Sequence, residues 1–264
     1  MKFDELDEKM RVYETAFDLC AVPGMYLVAR IDGRSFTRLT REKLRETHQF
    51  AAPFDERFRD MMVGTTEHLM QCGFRVIYGY TQSDEISLLF HPEENSFGRK
   101  LRKYDSILAG EASAKFALLL GAHAAFDCRI SQLPNAELVR DYFRWRNEDA
   151  HRNALNGWCY WTLRKDGQDV TRATKQLEGM PVSAKNELLF QRGINFNDVP
   201  NWQKRGIGLY WETYAKPAVN KLTGEAVVAE RRRLKVDHEL PMKEAYSEFV
   251  MRLLSEAYAD SDGT

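Results

Sequence analysis

Three apolar stretches and the carboxylates at their ends constrain this chain more than any other feature. Tyr26-Leu27-Val28-Ala29-Arg30-Ile31 stops on Asp32-Gly33-Arg34. Val76-Ile77-Tyr78-Gly79-Tyr80 is joined to Ile86-Ser87-Leu88-Leu89-Phe90 through Thr81-Gln82-Ser83-Asp84-Glu85. The second and third stretches read as two strands linked by a tight turn with adjacent carboxylates at its tip. A run as apolar as 26–31 belongs in the centre of a covered sheet. If it neighbours the hairpin, Asp32 and Asp84 meet at one sheet edge. Hard oxygen ligands in that placement suit Mg²⁺, and two such ions would bridge the phosphates of a nucleotide. Glu85 opens a very apolar strand, where a charge needs a partner, and a cation would supply one.

The 264 residues suit one domain with an extension better than two domains. With 38 Lys and Arg against 39 Asp and Glu, binding to nucleic acid would have to use local basic patches rather than net charge. Cys20, Cys72, Cys128 and Cys159 form no C-x-x-C pair, which argues against a zinc ribbon or disulfide framework and for a reduced, cytoplasmic setting. The start Met1-Lys2-Phe3-Asp4-Glu5 does not read as a signal peptide, and no apolar run reaches transmembrane length.

Periodicity predicts a helix over 4–20 with a partial stripe of Leu6, Met10, Tyr13, Phe17 and Leu19, broken at Pro23-Gly24. After the strand at 26–31, a basic stretch (Arg38, Arg41, Lys43, Arg45) leads to Pro53. A helix from Asp55 to Cys72 closes at Gly73. The hairpin 74–90, a helix over 99–121, a strand at 126–130 and a helical region at 136–163 follow. Beyond these lie a short helix at 183–191, a strand at 206–211 and a helix at 241–257; residues 257–264 read as frayed, and 212–264 carry no readable motif. The order predicts an α+β fold, a polymerase-palm-like or ferredoxin-like βαββαβ antiparallel sheet backed by helices. Residues 1–135 form its catalytic core. Residues 136–264 form a helical and mixed extension packed on that core as one continuous unit.

Each motif has a plain reading beside a functional one. Asp32-Gly33-Arg34-Ser35-Phe36 would hold a metal at a strand end while successive N–H groups cradle a triphosphate and Gly33 permits close approach; alone, it is more often an ordinary Asp-Gly turn. Arg99-Lys100-Leu101-Arg102-Lys103 is a solvated helix face or a phosphate clamp. Arg140, Arg144, Trp145, Arg146, His151, Arg152 and Asn153 interleave basic and aromatic groups as RNA phosphates and unpaired bases require. The same helix would send Phe143, Leu155, Trp158 and Trp161 into a core, and His151 alone reads as structural. Arg231-Arg232-Arg233-Leu234-Lys235 is a solvated face able to touch a polyanion. No phosphate-binding P-loop, nucleophile elbow or H-E-x-x-H helix is present.

Ile31-Asp32-Gly33-Arg34-Ser35-Phe36, Ser83-Asp84-Glu85, Asp149-Ala150-His151-Arg152-Asn153-Ala154-Leu155-Asn156 and Lys185-Asn186-Glu187-Leu188-Leu189-Phe190 occur in this order. As a set over roughly residues 4–211, they resemble the tRNA-histidine guanylyltransferase family. The resemblance implies a palm-like core and nucleotide addition in the 3′-to-5′ direction at tRNA 5′ ends. It implies two Mg²⁺ ions held by Asp32, Asp84 and the Gly33 carbonyl; the position of Glu85 beside them adds a catalytic carboxylate that supports the metal site. It places the incoming nucleotide on Asp32, Gly33, Arg34, Ser35, Phe36, Thr37, Ser83 and Asp84, with its triphosphate on Lys100 and Lys103. RNA would meet Arg140, Arg144, His151, Arg152, Asn153, Lys185 and Asn186. GTP, ATP and other NTPs are the expected small-molecule partners, and a homotetramer built as a dimer of dimers is the expected assembly. The chain departs from the eukaryotic pattern at His151–Gly157, at Ala52 before Pro53, and in an apparent insertion from Thr40 to Glu46. These departures place it with the guanylyltransferase-like branch of bacteria and archaea, which copies a template and repairs truncated 5′ ends. A single-G histidine-tRNA enzyme, a nucleotide cyclase and an RNA-binding module with a lapsed site remain as alternatives.

Overall fold

A computed structural model of the chain describes residues 1–40, 49–219 and 225–259. Six strands, β1 Tyr26–Gly33, β2 Val76–Gln82, β3 Glu85–Phe90, β4 Phe126–Leu133, β5 Ile207–Val219 and β6 Ala226–Asp237, form one sheet in the order β4-β1-β3-β2-β5-β6. All neighbours are antiparallel. The helices are α1 Phe3–Glu14, α2 Glu56–Leu69, α3 Leu101–Leu120, α4 Ala136–Lys165, α5 Val170–Leu177, α6 Val182–Phe190, α7 Asn201–Arg205 and α8 Lys243–Ala259. β3 lies between β1 and β2, and β4 returns beside β1, the strand order of the βαββαβ arrangement. β5 and β6 continue the same sheet from the far side of residue 135.

Alternate residues of each strand feed two cores. On one face Leu27, Ala29 and Ile31 of β1 meet Ile86 and Leu88 of β3, under Met62 and Leu69 of α2 and Tyr104, Leu108 and Phe116 of α3. On the other, Val28, Tyr78 and Leu89 meet Val139 and Phe143 of α4 and Tyr246 and Phe249 of α8. With helices on both faces, the central strands keep no solvated side, so their sequences run apolar instead of alternating. Helix ends fall at the sequence's punctuation. The Asp55 side chain accepts from Arg57 N–H before α2, the Asn135 side chain accepts from Leu138 N–H before α4, and Gly121 closes α3 at φ 70°.

Four expectations need correction. The N-terminal helix stops at Glu14, not residue 20, and buries none of its side chains; its stripe of Leu6, Met10 and Tyr13 is exposed. The strand expected at 206–211 runs to Val219 and pairs with β6, which the basic run concealed: backbone pairing, not an apolar pattern, makes β6 a strand. α5 escaped notice because its residues are polar, yet Asp169 caps it by accepting from Arg172 N–H. Ala257 to Ala259 are helical rather than frayed. Arg41, Lys43, Arg45, most of the apparent Thr40–Glu46 insertion and residues 260–264 lie outside the described residues. Among the described residues, no helix is long and apolar enough to cross a membrane.

Candidate active site

The β2–β3 connection is two residues long, Ser83 and Asp84, with Ser83 at φ 54°, a left-handed conformation that a non-glycine residue holds only when its surroundings dictate it. β1 supplies those surroundings. Asp32 sits opposite Glu85 in the register, and the Gly33 N–H donates to the Asp84 carbonyl at 3.0 Å. On the other side of β1, the Arg34 N–H donates to the Ala125 carbonyl at 2.8 Å. Thus the end of β1 is tied to both neighbours, and Asp32 and Asp84 meet at the tip of the sheet.

Gly33 is required here for a reason the sequence does not show. A Cβ at this position would meet the Phe36 ring at 2.5 Å. The chain turns back beneath the strand end, and Phe36, 2 % exposed, packs against Phe116 and Phe126 with ring centroids 5.2 Å and 4.9 Å away. The Phe36 ring is therefore held in the core, and the residue also lines the cavity beside the carboxylate tip. Gly33 and Arg34 have already committed their N–H groups to carbonyls. That leaves those of Phe36 and Thr37, at the start of the helical turn Phe36–Arg38, without a carbonyl four residues earlier.

Burial pushes the Asp84 carboxyl up to about 6; the Ser83 hydroxyl, donating at 3.0 Å, and its own backbone N–H pull it partly down, and the charges of Asp32 and Glu85 push it up again. A half-buried carboxylate facing like charges fits a cation-binding role. Arg129 approaches Asp32 at 3.9 Å. Among the described residues, no group of three His, Cys, Asp or Glu side chains is placed to hold a metal ion. Any cation at the tip would therefore complete its shell with backbone carbonyl, water and phosphate oxygens, as Mg²⁺ at nucleotide sites does.

A cavity of about 360 Å³ opens beside the tip. Ser83, Asp84 and Glu85 form one wall; Phe36, Phe54 just before α2, Phe58 of α2, Trp161 of α4 and Trp202 of α7 are among its apolar lining. Thr37 and Asn153 also line it. Aromatic walls with carboxylates at one end suit a ligand that has a flat ring and a charged tail.

The expected phosphate and RNA residues do not all converge on this cavity. β3 runs away from the tip, so the chain reaches α3 at the opposite end of the sheet. There the Arg99 guanidinium donates to the Met25 carbonyl at 2.7 Å, just before β1 begins, and Lys100 pairs with Asp18 at 2.8 Å. From Tyr26 to Asp32 the strand rises about 20 Å, so Lys100 and Lys103 of the same chain do not reach the carboxylate tip. The clamp expected of them is thus not part of this site within one chain. Of the RNA candidates, His151, Arg152 and Lys185 line a second cavity of about 220 Å³ with Lys243. Burial lowers the His151 imidazole below its usual range, with the charges of Lys204, Arg205 and Lys243 adding to it. Arg140 pairs with Asp141, Arg144 with Glu148 and Glu244, and Arg152 with Asp149. Asn186 spends its amide on the Val182 carbonyl at 3.0 Å.

Glu85 also differs from expectation. Its partners are guanidiniums: Arg30 of β1 and Arg146 of α4 each bond one of its oxygens. Arg30 belongs to no expected site motif, and Arg146 is expected in the basic and aromatic run that meets RNA, not at the carboxylates. Arg30 lies two residues from Asp32 on one strand and so shares its face, a signal available in the sequence; Arg146 was visible only as one of several arginines on a helix.

Comparison with known proteins identifies the family. The profile of the tRNAHis guanylyltransferase (Thg1) family matches residues 7–134, and that of the Thg1 C-terminal domain matches residues 137–248. A probable tRNA(His) guanylyltransferase of Mus musculus is 30 % identical over 216 residues, 78 % of this chain and 70 % of that protein. The corresponding Dictyostelium discoideum protein is 30 % identical over 226 residues, 81 % of this chain and 85 % of its own. A bacterial Thg1-like protein solved in complex with ATP superposes with a TM-score of 0.70 at 29 % identity, covering 94 % of this chain and 99 % of that one. The Saccharomyces cerevisiae enzyme reaches 0.66 at 27 % identity, over 75 % and 91 %. The near-complete coverage of the bacterial structure fits the bacterial and archaeal branch. With both profiles in register along the chain and the carboxylate tip at the sheet edge, the chain belongs to the tRNAHis guanylyltransferase family of nucleotidyltransferases.

Proposed function

We propose that this chain adds nucleotides to tRNA 5′ ends in the 3′-to-5′ direction, following a template base, and so repairs truncated ends. The observation that carries most weight is the convergence of Asp32 and Asp84, locked by the Gly33–Asp84 backbone bond, beside a cavity of nucleoside size. Asp32, Asp84 and the Gly33 carbonyl would hold two Mg²⁺ ions. When bound, these ions neutralise triphosphate charge and lower the pKa of the NTP 3′-hydroxyl that attacks the ATP-activated 5′ end. The protein's own part is positional. The aromatic walls hold the base of the incoming nucleotide out of water, and the backbone N–H groups of Phe36 and Thr37 donate to phosphate oxygens at a helix start.

The outer β5–β6 hairpin supports RNA contact. Arg231, Arg232, Arg233 and Lys235 are exposed along β6, and Arg232, Arg233 and Lys235 lie over Trp211, Tyr214 and Tyr210 of the paired β5 at 4.9 to 5.5 Å. Guanidinium and ammonium groups so arranged suit phosphate oxygens without selecting sequence. The same reading assigns His151, Arg152, Asn153 and Lys185 to RNA near the 5′ end, and a palm-like ancestry to the βαββαβ sheet.

A tRNA lacking its first nucleotide, incubated with Mg²⁺, ATP and all four NTPs while the opposing base is varied, tests this. Addition that tracks Watson–Crick complementarity supports templated repair. Addition of G whatever the opposing base would identify instead a dedicated histidine-tRNA enzyme. No addition, even to a 5′-triphosphorylated tRNA, would remove the proposal.

A further inference from the structure

Glu85 follows Asp84 in the chain and faces Asp32 across the β1–β3 pair, a position in which a third acidic group would be taken for a metal ligand. Its contacts point elsewhere. Arg30 holds one carboxylate oxygen and Arg146 the other. Arg146 is 6 % exposed; its guanidinium also reaches Asp149 at 3.5 Å and lies 4.8 Å from the Trp145 ring. The next residue, Asn147, is fully buried and donates to the Arg205 carbonyl at 2.9 Å, which also accepts from the Tyr80 hydroxyl at 2.9 Å.

α4 is thus attached to the sheet in two ways. Its first half docks through Val139 and Phe143 in an apolar core. One turn later, at the carboxylate tip, the attachment becomes ionic and hydrogen-bonded. A cation drawing on Glu85 would have to displace a guanidinium and, for the buried Arg146, leave Asp149 at 3.5 Å as its remaining acidic partner, a costly exchange.

Resting on the assignment of Asp32 and Asp84 as the cation-holding pair, we propose that Glu85 binds no metal and instead forms, with Arg30 and Arg146, a strut that sets the Ser83–Asp84 tip against α4. Arg146 is then a positioning residue for the reaction. It acts on Asp84 through Glu85, and it couples the tip to the helix that carries Asp149, Arg152 and Asn153.

The test uses the full chain and the variants Glu85→Gln, Arg146→Gln, their double variant, Arg146→Lys and Asp32→Asn. Mn²⁺ alone is titrated by electron paramagnetic resonance, and amide exchange is followed at Gly33 and at Leu88. Single-turnover addition to 5′-triphosphorylated tRNA is the activity readout. Glu85→Gln should keep its Mn²⁺ affinity within about threefold, whereas Asp32→Asn loses binding. Glu85→Gln and Arg146→Gln should each slow addition about a hundredfold, the scale of a misplacement near 1 Å, at an NTP KM close to wild type. The double variant should fall no further than the singles, and Arg146→Lys should recover part of the rate. The Gly33 amide should exchange faster in both single variants, while the Leu88 amide stays protected. Loss of Mn²⁺ binding in Glu85→Gln would make Glu85 a ligand and overturn the strut. So would wild-type rates in either single variant, or additive losses in the double. If the wild type itself adds no nucleotide, the proposed function fails. The strut then stands or falls on the Gly33 exchange rate alone, and unchanged exchange in both variants removes it. If Glu85→Gln does not fold, Arg146→Gln carries the same readouts.

Discussion

The sheet contains two β-hairpins of opposite character. β2–β3 turns in two residues, lies between β1 and β5, and has helices over both faces. β5–β6 lies at the sheet's edge: β2 pairs with β5 only through Ile207 to Tyr210, whereas β5 and β6 pair from Gly208–Asp237 to Val219–Ala226. Beyond Trp211 the second hairpin is, among the described residues, a two-stranded ribbon with no third strand paired beside it, and its arginines are exposed. The first hairpin places a few carboxylates with little freedom; the second displays many cations with little constraint. Chemistry that fails on a misplacement of 1 Å belongs where neighbours over-determine the backbone. Attraction to a phosphate chain tolerates displacement, so it can use an edge whose charges also discourage strand addition.

The strongest challenge to this contrast is removal of the tip carboxylates. Asp32→Ala or Asp84→Ala should reduce nucleotide addition by about 10³-fold or more, with the circular dichroism spectrum and tRNA affinity retained; near-normal addition in both would void the distinction. Next is Gly33→Ala, which drives a Cβ into the Phe36 ring and should cost about 1–3 kcal/mol in urea unfolding, while Val228→Thr on the exposed ribbon should stay within about 0.5 kcal/mol. Equal losses would mean that the ribbon is as constrained as the tip. Replacing Arg231, Arg232 and Arg233 together by Gln should weaken tRNA binding about tenfold at low salt and flatten its salt dependence by two to three ions at most, a loss seen in KM for tRNA. An unchanged salt slope would take the hairpin out of RNA binding.

The smallest expected effect is that of pH. The Asp84 carboxyl, held at about 6 by burial, is ionised and ready for a cation above that value and protonated below it. Mn²⁺ affinity should therefore fall about fourfold from about pH 7.5 to about pH 5.5, from the change in ionised fraction alone. The cation-free fold should respond in the opposite sense. Because the folded state binds this proton more tightly than the unfolded chain, its stability rises as pH falls through 6 toward the ordinary carboxylate range. Asp84→Asn should abolish both trends.

The sequence by itself determined the strand at 26–31, the hairpin at 74–90 and the helices over 99–121 and 136–163, while the meeting of Asp32 with Asp84 was conditional on the strands being neighbours. Each of these elements is written in local signals: an unbroken apolar run, a two-residue turn, an Asn cap, a terminal Gly. It did not determine β6, whose strand state comes from the backbone of β5 and not from any side-chain pattern of its own. Nor could it show that Gly33 is needed by the Phe36 ring beneath it, that Glu85 is neutralised by arginines from another strand and from a helix sixty residues on, or that Lys100 lies at the wrong end of β1 for the site. These are facts about distance between segments remote in the chain. Only tertiary structure decided them, because periodicity and capping act within a few residues, whereas charge pairing and steric contact act wherever the fold brings atoms together.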